Sequence, residues 1–197
     1  MTQQLDSRYW DKRYTDNDDV WDIGYVSTPI KEYIDQLRDK KIKIMIPGCG
    51  NAYEAEYLLQ QGFTDVTLVD ISPTPVNHIK EKLSGYLGKQ LKVMLIDFFE
   101  LDLTFDLIIE QTFFCALDPS LRKRYVDKMY DVLRPGGSIV GVMFNTGFDG
   151  GPPFGGSAAE YKGLFSEKFD VQKMDVCYNS IPKRAGNELF VKFTKKN

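Results

Sequence analysis

The sequence predicts an α/β fold: a doubly wound, Rossmann-like sheet, mostly parallel and closed by a C-terminal antiparallel hairpin. Three observations carry it. Short β-branched runs alternate with helical patterns through most of the chain, the signature of a parallel sheet covered by helices. Near the end, "DVQKMDVCYNS" and "NELFVKFTKK" follow each other as strand-like segments with no helix between them. And "IMIPGCGNAYE" at 44–54 runs from a strand into a glycine turn and a helix, where sheets of this kind hold a ligand.

In chain order, a polar, aromatic segment comes first. "STPIKEYIDQL" at 27–37 is then a helix, marked by a Ser/Thr cap and a proline in the first turn. Strands are expected at 43–46, 66–69, 92–96, 105–110 and 138–144. "NAYEAEYLLQQG" at 51–62 is a helix ending on Gly62, and "DPSLRKRYVDKMYDVLRPGG" at 118–137 is one capped by Asp118 and stopped by Pro135. "DGGPPFGG" reads as a loop and "SAAEYKGLFSEKF" as a helix. No repeat or composition shift marks a second unit, so one domain is expected over 1–197, with an aromatic lid and helix at 1–38 and the core sheet at 42–197.

Composition narrows the function classes. The 197 residues are 43% hydrophobic and carry a net charge of −3, enough apolar content for one core and no basic face for a phosphate backbone. Lys40, Lys41 and Lys43, and likewise Arg122, Lys123 and Arg124, read as solvated helix ends, so nucleic acid is not an expected partner. "MTQQLDSRYW" has neither a basic region nor an apolar run, and no stretch of about 18 apolar residues occurs, so a cytoplasmic protein without a membrane partner is expected; the acidic surface is compatible with a monomer. The 3 cysteines are widely spaced without a C-x-x-C pair, and His78 is the sole histidine, which disfavours disulfides and metal sites alike.

The glycine turn raises the question of its ligand. A dinucleotide fingerprint would place a third glycine where Tyr53 stands, and Tyr53 with Glu54 puts bulk and negative charge where a pyrophosphate would sit. Gly48, Cys49 and Gly50 fit a close approach to a ligand, or simply a tight turn. Asp70 ends the second strand about twenty residues further on, the spacing for a carboxylate that accepts from both hydroxyls of a ribose; it could equally cap the next helix. Asp97 closes the third strand beside Phe98 and Phe99, which offer apolar faces to an adenine or form a buried turn. Together these residues describe a site for an adenine nucleoside without a pyrophosphate, and S-adenosyl-L-methionine fits it.

Here the sequence resembles the thiopurine S-methyltransferase family. The likeness lies in "IPGCGNAYEAEYLLQQGFTDVTLVDIS", "DFFEL", "FDLIIEQTFFCALDPSLRKRY", "LRPGG" and "GGPPF", and "TFFCALDP" is most similar to the thiol and halide methyltransferase branch. The resemblance implies a seven-stranded methyltransferase sheet and S-adenosylmethionine as cofactor. It implies cofactor contacts for Trp10, Tyr14 and Trp21, carried by "WDKRY" and "WDIG", with Tyr14 standing where the family has tryptophan. Both tryptophans could instead merely pack the N-terminal segment onto the sheet. By the same likeness Gly48 lines the methionine moiety, Asp70 with Ile71 the ribose, Asp97 with Phe98 the adenine, and Glu110 faces the cofactor. Thiopurine-specific members show acid-Arg-Gly where this chain has Glu110, Gln111 and Thr112, which moves the expected acceptor toward small thiols or inorganic anions.

Methyl transfer from a sulfonium is an in-line displacement, and a soft anion needs positioning more than a base. His78 is expected on a helix surface away from the site, leaving Glu110 as a possible base whose better role is orientation. Cys115 reads as core packing rather than a nucleophile. The loop at 150–154, with Pro152 and Phe154, is expected to shape the acceptor pocket, with Phe113 and Phe144 as further walls or as ordinary core. The expected activity is therefore methylation of a thiol, bisulfide or halide. The alternatives are a thiopurine-like or other small acceptor, and a non-catalytic S-adenosylmethionine sensor; a nicotinamide oxidoreductase is disfavoured by the missing glycine.

Overall fold

In the computed structural model, which describes residues 4–196, the chain alternates helices and strands around one sheet. The outer bounds of the expected domain, 1–3 and 197, lie outside the described residues. The elements run α1 (Ser7–Thr15), α2 (Thr28–Gln36), β1 (Ile44–Pro47), α3 (Tyr53–Gln60), β2 (Val66–Asp70), α4 (Pro73–Lys82) and β3 (Leu91–Leu95). Then follow β4 (Phe105–Gln111), α5 (Arg122–Val132), β5 (Leu133–Phe144), α6 (Ala158–Phe165), β6 (Phe169–Val176) and β7 (Glu188–Lys195).

The 7 strands lie in the order β3-β2-β1-β4-β5-β7-β6. β1 pairs in parallel with both β2 and β4, so strand order reverses there and a crevice opens above the carboxyl ends of the two. β7 inserts antiparallel between β5 and β6, the hairpin closure expected from the two helix-free segments. Central strands are buried on both faces because side chains alternate: Ile44, Ile46, Leu107 and Ile109 pack with α2, α3 and α4, whereas Met45 and Ile108 pack with α5 and α6.

Three boundaries differ from expectation. α1 is a helix in its own right, begun by Asp6, whose side chain accepts from the Tyr9 N–H, yet it buries no residue. α5 starts one turn later than Asp118, because that carboxylate caps the short turn Pro119–Leu121 by accepting from the Ser120 N–H. The segment after α5 becomes strand rather than helix end: Leu133 pairs with Phe105, and a bulge between Phe105 and Leu107 absorbs the turn at Gly136.

Candidate active site

The floor of the crevice is the turn after β1. Gly48, Gly50 and Ala52 all adopt left-handed φ, at 54°, 48° and 55°, which lets successive N–H groups turn inward. Asp70 ties this turn to the next one: its two oxygens accept from the Gly50 and Ser72 N–H groups, each at 2.9 Å. The carboxyl is buried, which pushes its pKa up against those hydrogen bonds. Aromatic rings press on both glycines. A Cβ on Gly48 would stand 2.2 Å from Phe113 Cδ2, and one on Gly50 2.8 Å from the Tyr14 hydroxyl oxygen.

The roof is α1 and the segment after it. Trp21 meets Trp10 and Tyr14 edge to face, both at 5.7 Å, and Arg13 lies 4.7 Å from the Trp21 ring. This roof is fastened on both flanks. On one side Asp11 accepts from the Ser72 hydroxyl and the Thr74 N–H at 2.7 and 2.8 Å, and the Ser7 hydroxyl donates to the Ile71 carbonyl. On the other, Arg184 donates to the Trp21 carbonyl at 2.8 Å, while Asn51 and the Tyr53 hydroxyl donate to Asp22. α4 has no cap from its own Ser72 side chain, so the roof lends it one. Asp11→Ala is expected to cost about 1 kcal/mol of stability, a typical cap loss, and to raise the cofactor dissociation constant severalfold. Thermal melting and calorimetric titration check both, and wild-type affinity in the variant would contradict the fastening role.

The walls come from strand ends. Asp97 accepts from the Phe99 N–H at 2.8 Å through one oxygen, and its other oxygen accepts nothing from the described residues. Phe98 is nearly buried, 5.3 Å from Phe113, and Arg124 stands 4.2 Å from the Phe99 ring. Opposite, Phe144 lies beside Phe148 and under the Arg184 guanidinium.

Floor, roof and walls enclose one cavity of about 590 Å³. Trp10, Tyr14 and Trp21 line it, as do Gly48, Cys49, Gly50, Asp70 and Ile71. Asp97 and Phe98 line it too, and so do Phe113, Phe144 and Pro152. Two expected residues do not. Phe154 turns back on its own loop, its ring against Gly151, and Pro152 and Pro153 form the wall instead.

Glu110 is the second correction. Alternation along β4 puts Gln111 into the cavity and Glu110 on the opposite face, fully buried. Its carboxylate accepts from the Phe113 and Phe114 N–H groups at 2.7 and 2.9 Å and from the Tyr125 hydroxyl at 2.6 Å. Glu110 thus holds the turn in which Thr112 takes a φ of 62°, and does not line the cavity. Burial pushes its pKa to about 7, and burial likewise raises those of Glu54 and Asp70. A group whose folded pKa is raised contributes stability that is full below its unfolded value and lost as pH rises through the folded one. Stability of the cofactor-free protein is therefore expected to fall between about pH 5 and pH 7.5, with Glu110→Gln flattening the slope. The exposed or little-buried acids with lowered pKa titrate below this window. A melting profile rising with pH would contradict it.

Cys115 lines the cavity as a buried thiol donating to the Thr112 carbonyl, its pKa pushed to about 12 by burial. Cys49 is pushed well above its ordinary value by burial too, so neither is a ready thiolate. His78 is exposed on α4 and does not line the cavity. Sequence reading missed Asp22, Gln111 and Arg184 as cavity residues. Asp22 stood within "WDIG", whereas β4, buried on both faces, gave no parity to pick Gln111, and nothing local in "IPKRAG" signals Arg184.

A sheet in this order, with a cavity over the β1/β4 reversal, is the fold of S-adenosylmethionine-dependent methyltransferases. One solved example, the 1,6-didemethyltoxoflavin-N1-methyltransferase of Burkholderia thailandensis with bound S-adenosylhomocysteine, superimposes with a TM-score of 0.75 at 20% identity, covering 97% of this chain and 87% of that one. Within that class the chain belongs to the thiopurine S-methyltransferase family, whose model matches residues 5–193. A probable thiol methyltransferase 2 of Arabidopsis thaliana is 31% identical over 157 residues, 78% of this chain and 69% of the relative. Thiocyanate methyltransferase 1 of Brassica oleracea is 27% identical over 206 residues, 100% of this chain and 89% of the relative.

The residues present fit that family's cofactor. Among the described residues Asp70 has one hydrogen bond on each oxygen and room for more, Asp97 keeps one oxygen unpartnered, and the walls between are apolar and aromatic. Asp22, Glu54 and Asp70 give the cavity acids suited to a cationic sulfonium and ammonium.

Proposed function

We propose that this protein transfers the methyl group of S-adenosylmethionine to a small soft nucleophile, a thiol, bisulfide or halide. The observation that carries the reading is the acceptor side of the cavity. Phe113, Phe144, Phe148 and Pro152 wall it, Lys183 and Arg184 supply positive charge, and the chain's sole histidine lies outside.

The bound cofactor supplies an electrophilic methyl on a sulfonium. Asp70 and Ile71 hold the ribose, Asp97 and Phe98 the adenine, and Gly48, Cys49 and Gly50 the amino-acid end. Trp10, Tyr14 and Trp21 present aromatic faces toward the cation, contacts worth about 0.5 to 2 kcal/mol each. Phe113 and Phe144 exclude water from the acceptor, leaving a soft anion desolvated and in line. Gln111, whose amide oxygen accepts from the Ser27 hydroxyl at 2.8 Å, stands at the same cavity as a neutral polar group.

Residues 1–38 act as the lid and 42–197 as the core of one domain, in a cytoplasmic monomer that contacts neither nucleic acid nor membrane. Among the described residues no helix is long and apolar enough to cross a membrane. S-adenosylhomocysteine formation is the direct assay, run in parallel with bisulfide, a small aromatic thiol, iodide and a thiopurine. Turnover of the first three and not the thiopurine is expected. Cofactor binding without turnover of any acceptor would favour the sensor reading.

A further inference from the structure

The acceptor wall at Pro152 and Pro153 belongs to the loop between β5 and α6, which has no secondary structure of its own to fix it. Two bonds join it to the β4–α5 connection. The Phe154 N–H donates to the Cys115 carbonyl at 2.7 Å, and Arg122 Nη2 donates to the Gly155 carbonyl at 2.6 Å. Arg122 opens α5, is buried, and does not line the cavity. Its Nη1 pairs with Glu160 in the first turn of α6, and its Cζ lies over the Phe114 ring, 5.0 Å from the centroid. Its Nε is buried with no partner among the described residues, an arrangement that packing alone does not favour.

We propose that Arg122 is a positioning residue for acceptor selectivity: its guanidinium clamps the Pro152–Pro153 wall against Cys115, Ala116 and Leu117 on the facing side of the cavity. The planar fork suits this, since one group reaches a carbonyl and a carboxylate together and stacks on an aromatic ring. Lysine keeps the charge and loses the fork. The selectivity consequence rests on the methyltransferase reading above, whereas the clamp itself does not.

The test uses Arg122→Lys and Glu160→Gln in the full chain, with two readouts. Amide exchange at Phe154 and Gly156 is expected to accelerate about tenfold or more, with exchange in β1 and β4 unchanged. The KM for an aromatic thiol is expected to rise about tenfold, that for bisulfide far less, and the cofactor dissociation constant to stay within about twofold. Unchanged exchange overturns the clamp, and a KM rise shared equally with cofactor affinity overturns its selectivity role in favour of general stability. If the wild type methylates no acceptor, the functional reading fails while exchange still decides the clamp. Glu160→Gln leaves the buried arginine in place, so a folding failure of Arg122→Lys alone does not remove the test.

Discussion

Asp70→Ala is expected to weaken cofactor binding about a hundredfold or more, since each charge-assisted hydrogen bond it makes is worth about 1.5 to 3 kcal/mol and each 1.4 kcal/mol is tenfold. The carboxylate has two tasks at once. It accepts the Gly50 and Ser72 N–H groups, fixing the two turns relative to each other, and its remaining lone pairs face the cavity. Alanine removes both. Asp70→Asn keeps an acceptor oxygen for one turn and is expected to lose less. Calorimetric titration with S-adenosylhomocysteine reads the affinity, and a melt of the free protein shows whether the turns survive. Wild-type affinity in Asp70→Ala would sink the ribose assignment.

Gly48→Ala is expected to be the most damaging single methyl in the site. A left-handed alanine costs about 1 to 2 kcal/mol, and overpacking a filled contact adds about 1 to 3. The added carbon would sit 2.2 Å from Phe113 Cδ2, and with Phe98 and Tyr125 behind that ring at 5.3 and 6.1 Å, its way out is into the cavity it lines. The acceptor wall must therefore shift, and turnover is expected to drop about a hundredfold with a clear fall in melting temperature. Gly62→Ala is the control. Its φ of 84° carries the same backbone penalty, but nothing lies within 4 Å of the new carbon. Equal losses in the two variants would show that only backbone strain matters at Gly48.

The sheet was legible because its signal is local: β-branched runs, caps and a glycine turn each sit within a few residues of the element they announce. The helix-free pair near the end gave the hairpin for the same reason. α1 left no such trace, since its aromatic side chains face a ligand cavity and none is buried in the core. Glu110 was misplaced because β4 is buried on both faces, so hydrophobic alternation carried no parity to say which side Glu110 or Gln111 would take. The floor and adenine wall were readable as spacing, Gly48 to Asp70 to Asp97. On the far wall Phe144 and the 150–154 loop were readable too, whereas Arg184 reaches it from a loop with no periodic pattern.

Arg184 and Trp21 meet across 163 residues of chain. A contact of such separation carries the largest loop-closure cost and closes late. On the ribosome, the glycine turn, Asp70 and Asp97 emerge, with the Asp11 and Asp22 fastenings of the roof, long before Arg184 does. A nascent chain that has not yet reached Arg184 thus has its roof held through Ser7, Asp11 and Asp22, with the Trp21 carbonyl still unclaimed. The bond that completes the chamber forms only when synthesis is nearly complete.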